Sequence, residues 1–164
     1  MCFKKEIVIQ PPIVTIPQFQ TWTIPRYYFV KLCRSKGIEP PELLSSAVLY
    51  DKVRYTDLES TDSLLQDLLP HLPKNSADWT QYCYYQAQSA FVKCVERYRI
   101  NAMAVVLDLR SELEEPNAHA YNVIAYGNET GLEGLLLFEP NEGYEWSGIV
   151  PWGEHNYRPE LVFI

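Results

Sequence analysis

The stretch DWTQYCYYQAQSAFVKCVERYRINAMAVVLDL, residues 78–109, decides the architecture, because its hydrophobic period changes partway along. From Asp78 to about Arg99 the apolar residues Cys83, Ala87, Ala90, Phe91, Cys94, Val95 and Tyr98 recur at helical spacing, and Asp78 and Gln81 stand in capping-box spacing at its start. From Asn101 the run NAMAVVLDL has the continuous aliphatic character of a strand. Two further extended runs follow, HAYNVIAYG at 119–127 and LEGLLLFEP at 132–140, with weaker ones around Ile149 and at 161–164. Turn signals at Glu115-Pro116-Asn117 and Gly127-Asn128 separate them.

Working back toward the start, SLLQDLL at 63–69 reads as a short helix capped by Ser60 or Thr61 and stopped by Pro70 and Pro73. A helix is also expected from Pro40 and Pro41 to about Tyr50, and another from Arg26 to Lys36, closed by Gly37. Residues 6–29 alternate β-branched and aromatic residues with prolines, the pattern of an extended arm or edge strand. Helices first and strands afterwards imply the α+β class, with N-terminal helices and one long helix packed on an antiparallel sheet. At 164 residues the chain is expected to form a single domain, 1–164, with an arm and helices over 1–75 and the cysteine-bearing helix and sheet over 76–164.

Charge narrows the partners. Residues 1–54 carry 8 Lys/Arg against 4 Asp/Glu, whereas residues 111–164 carry Arg158 alone against 10 Glu. No Lys/Arg cluster is offered to a phosphate backbone, which argues against nucleic acid; the apolar runs are too short for a membrane span. Residues 1–12 lack a leader-like apolar block, and Cys2, Cys33, Cys83 and Cys94 show neither CxxC spacing nor paired histidine ligands. Free thiols in a reducing cytoplasm and no structural metal are therefore expected. On one helix Cys83 and Cys94 would stand roughly 16 Å apart, beyond disulfide reach.

A cysteine nucleophile needs a base to form its thiolate and a group to orient that base. Cys83 sits in the first or second turn of the long helix, His119 opens a strand 36 residues later, and Glu139 closes the next strand 20 residues beyond. On neighbouring antiparallel strands Glu139 can hold one imidazole nitrogen while the other faces Cys83; Asn141 is the alternative orienter. Trp79 and Gln81, beside the start of the helix, are candidates to contact substrate or complete an oxyanion hole with the Cys83 backbone N–H. His71 and His155 read as loop residues.

A helix opening on Cys, then ERYRINAMAVVLDL, HAYNVIAY and LLLFEP, resembles the papain-like and transglutaminase-like cysteine-hydrolase superfamily over residues 78–146. HAYNVIAYG followed by FEPNEG is most similar to the cysteine-protease-like C-terminal domain of a mushroom agglutinin and its bacterial and phage relatives. The resemblance implies Cys83 as nucleophile, His119 as base and Glu139 as orienter. It places Asn122 in the same motif, in a structural or site-wall role, and implies a peptide or protein substrate, for which Asn122 and Asn141 are candidate contacts. Calcium is implied by this analogy alone, with Glu129, Glu133, Glu142 and Glu145 as oxygen donors lacking EF-hand spacing. The chain departs from the pattern in the bulky YCYY around the cysteine and in Ala77, which stands where the papain-like oxyanion glutamine lies. The competing expectation is a catalytically inactive module of the same fold, whose 12 Tyr and 4 Trp serve binding or structure.

Overall fold

The change of period after Tyr98 is the hinge of the architecture, and the computed structural model places a helix before it and a sheet after it. The structure describes residues 16–38, 51–73, 82–108, 119–141, 147–150, 152, 159 and 161–163. Their order is β1 (Trp22–Pro25), α1 (Arg26–Ser35), β2 (Lys52–Tyr55), α2 (Leu58–Leu68), a 3-10 turn at Leu69–His71, α3 (Tyr82–Tyr98), β3 (Met103–Asp108), β4 (His119–Asn128), β5 (Gly131–Glu139), β6 (Gly148–Val150) and β7 (Leu161–Phe163). β1 and β2 pair as an antiparallel ribbon, and the other strands form an antiparallel sheet in the order β6-β5-β4-β3-β7. The α+β reading thus holds.

Side-chain alternation sorts the sheet into two buried faces. Ala102, Ala104, Val106, Tyr121, Val123, Ala125, Leu135 and Leu137 pack with Phe29 and Cys33 of α1 and Val53 and Tyr55 of β2. Met103, Ile124 and Phe138 pack on the other side with Leu64, Leu65 and Leu68 of α2 and with Ala90 and Cys94 of α3. A sheet covered on both faces explains why β3 and β4 read as nearly unbroken apolar runs rather than alternating ones.

The local signals work at the ends of the helices. α1 stops where Gly37 adopts φ +80 and Ile38 N–H reaches back to Cys33 O, an arrangement glycine adopts without a Cβ penalty. α2 begins earlier than its leucines suggest. Its N-cap is Asp57, whose Oδ1 accepts from Ser60 N–H at 2.7 Å, so Ser60 and Thr61 lie inside the helix instead of capping it. α3 ends with Arg99 at φ 60, a left-handed residue that is not glycine. The helix expected over 40–50, the Asp78 and Gln81 capping box, and most of the proline-rich arm fall outside the described residues.

Among the described residues no helix is long and apolar enough to cross a membrane, and no group of three or more His, Cys, Asp or Glu is disposed to hold a metal ion. Cys33, Cys83 and Cys94 are free thiols.

Candidate active site

Three elements meet at one end of the sheet. Cys83 is the second residue of α3, His119 the first of β4 and Glu139 the last of β5. Small residues bring the helix close: Ala87 and Ala120 pack with Cys83 and Val105 in a cluster of their own. On β4, Ala120 and Ile124 belong to the α3 side, and Tyr121 and Val123 to the opposite side. His119 shares the parity of Tyr121, so its contact with Cys83 passes around the end of the sheet rather than across one face.

The strand register explains the second contact. Asn122 pairs with Phe138, and continuing that ladder by one residue sets Glu139 opposite Tyr121. Glu139 therefore meets His119 on the diagonal, which a long side chain can span. His119 Nε2 and Glu139 Oε2 lie 2.6 Å apart, with Glu139 fully buried and the His119 side chain 14% exposed. The Tyr121 ring packs against the imidazole with centroids 5.5 Å apart. Glu139 Oε1 accepts from Asn141 N–H at 2.9 Å, so both carboxylate oxygens are held.

With Nε2 on Glu139, Nδ1 is the imidazole nitrogen left for the thiol. Burial alone pushes the Cys83 thiol up, but a hydrogen bond with His119, backbone hydrogen bonds with Ala120 and Tyr84, and the charge of His119 bring it below its ordinary value. Burial pulls His119 down, and its hydrogen bonds to Cys83 and Glu139 and their charges overcome this, raising it to about 9. Both shifts favour thiolate beside imidazolium. The other described cysteines go the opposite way: burial pushes Cys33 up to about 12 and raises Cys94 as well.

The remaining candidates separate. Asn141 supports Glu139 through its backbone, and Glu139 is the group on the imidazole. Asn122, expected in a structural or site-wall role, is fully buried, and its Nδ2 donates to Ala87 O at 2.9 Å and Ala104 O at 3.3 Å. That position is inside the packing between helix and sheet. Trp79, Gln81, Glu142, Glu145 and His155 lie outside the described residues, and His71 is exposed in the 3-10 turn. Glu129 at the β4–β5 turn and Glu133 near it in β5 are exposed, roughly 25 to 33 Å along the strands from His119, too far for a cation bound there to touch the thiol. Tyr84 and Tyr85 are exposed, so these two side chains of the bulky YCYY segment turn to solvent.

One acid escaped the sequence reading. Asp108, the last residue of β3, is fully buried and stands directly opposite His119 in the register. The imidazole thus lies between strands that both end in a carboxylate. The available signal was position, since Asp108 ends one strand and His119 begins the next, but LDL reads as ordinary alternation until the register is known.

A buried thiol of lowered pKa, an imidazole hydrogen-bonded to it and a carboxylate fixing that imidazole are the parts of a nucleophile, base and orienter. No protein-family model, curated protein or solved structure matches the chain, so the case for this site stands on its own residues and their geometry.

Proposed function

We propose that the protein is a cysteine-dependent hydrolase or acyl transferase, peptidase-like in its chemistry, with Cys83, His119 and Glu139 as its triad. The observation that carries this reading is the 2.6 Å contact between a fully buried Glu139 and the His119 that hydrogen-bonds Cys83. A buried carboxylate is costly unless paired, and here the pairing orients an imidazole toward a thiol.

In the proposed reaction the Cys83 thiolate attacks a peptide-like carbonyl, forming a C–S bond as the carbonyl π electrons move onto oxygen. Imidazolium His119 gives its proton to the leaving amine as the C–N bond breaks, which leaves a thioester. Water or a second amine, losing a proton to His119, then attacks the thioester and releases Cys83. The Cys83 backbone N–H at the start of α3 is the expected oxyanion donor. A peptide or protein substrate and a reducing cytoplasm accord with this chemistry and with the free thiols.

The reading is tested with an activated acyl ester such as p-nitrophenyl acetate. The expected result is a burst of nitrophenol and an acetyl adduct on Cys83 by peptide mass spectrometry, lost in Cys83→Ser and in His119→Ala. Added amine that diverts the adduct to amide identifies transfer, and its absence identifies hydrolysis. A burst that survives both substitutions, or no adduct on Cys83, overturns the reading.

A second reading, an inactive binding or structural module, is favoured by the 8% exposure of Cys83 and by the exposed rings of Tyr27, Tyr28, Tyr84 and Tyr85. Under it Cys83 would take no acyl group.

A further inference from the structure

We propose that Asn122 is a positioning residue for Cys83 and His119, an inference that rests on the triad reading above. Its single side-chain nitrogen bridges α3 and β3, donating to Ala87 O and Ala104 O. Ala87 lies about one helical turn from Cys83, and Asn122 lies three residues along β4 from His119. The tie therefore joins α3 and β4, the elements whose Cys83 and His119 must meet.

The backbone does not need this amide. Ala87 sits inside a helix and Ala104 inside a strand, where the backbone ladders already supply donors to their carbonyls. Asn122 Oδ1 is buried with no hydrogen-bond partner, and a buried acceptor left unsatisfied is destabilising. A leucine, with the same number of side-chain heavy atoms, would fill the position without the orphan oxygen. What the amide adds is a fixed separation between the first turn of α3 and the start of β4. Ala87 and Ala120 have no bulk with which to set that distance by packing.

The test is the rate of iodoacetamide labelling at Cys83 across pH, read by peptide mass spectrometry, with thermal unfolding of the same samples. Wild type, Asn122→Leu and Asn122→Ala are compared. The expected result is that Asn122→Leu unfolds at or above the wild-type temperature yet labels Cys83 about tenfold to a hundredfold more slowly near neutral pH. Asn122→Ala should lose labelling likewise while unfolding earlier. A folded variant of either kind that keeps the wild-type pH profile overturns the proposal, as does failure of both variants to fold. Wild type that shows no thiolate below ordinary thiol pH sinks the triad reading itself, a result visible before any variant is made.

Discussion

Cys83 and Cys94 share one helix and one inward stripe, but they differ in chemistry. Around Cys94, in the middle of α3, lie Leu64, Leu65, Leu68, Met103 and Ile124, and burial holds the thiol protonated. Cys83, in the first turn, is nearly as well covered, yet its neighbours include an imidazole and backbone N–H groups. Burial raises both thiols, and only at Cys83 is that effect overcome. The groups around a thiol, together with the access it keeps, decide its reactivity.

His119→Ala breaks the comparison most directly, by making the first turn resemble the middle of the helix. Labelling of Cys83 near pH 6 should fall about a hundredfold, with Cys94 protected in both proteins, as measured by mass spectrometry. The same residue links the site to stability. His119 is raised to about 9 in the folded state from an ordinary value near 6.5. Its stabilising contribution is therefore complete below about pH 6.5 and lost as pH rises through about 9. Thermal unfolding across that window should show a smaller decline in His119→Ala than in wild type.

Glu139→Gln sharpens the comparison by keeping shape and removing charge. The glutamine cannot serve both His119 and Asn141 N–H as the carboxylate does, so a loss of about 2 to 3 kcal/mol in urea unfolding is expected. Labelling of Cys83 near neutral pH should fall about tenfold, because an imidazole that has lost its carboxylate holds its proton less well and supports the thiolate less.

Cys94→Ser works on the other half of the contrast. A hydroxyl placed among leucines costs about 1 to 3 kcal/mol, and the pH profile of Cys83 should stay where it is, since the two cysteines stand about three helical turns apart on α3. The smallest effect belongs to the far end of α3. Arg99→Gly relieves a left-handed φ of 60 and should raise stability by up to about 1 kcal/mol with Cys83 reactivity unchanged.

Much of this contrast was legible in the sequence, because period and order carry it. The apolar stripe put both cysteines on one inward face, and the order Cys83, His119, Glu139 on helix, strand and strand fixed which elements had to meet. What stayed hidden depends on register and on short elements. The choice of Glu139 over Asn141, and the placing of Asp108 opposite His119, follow from which residues face each other across β3, β4 and β5. β2, KVRY, is four residues long, too short for alternation to stand out. The cap at Asp57 was missed because Ser60 and Thr61 are equally good capping residues nearer the leucines. Asn122 read as a site residue because its motif neighbours His119; burial, which no sequence spacing reports, puts it behind the site.

The central claim is that Cys83 exists as a thiolate paired with imidazolium in the folded protein. Ultraviolet titration of thiolate absorbance, wild type against Cys83→Ser, measures that species without any substrate. The expected difference is one thiolate present well below the ordinary thiol value of about 8.5, absent in His119→Ala. A difference that appears only at or above that value, and does not depend on His119, would contradict the account.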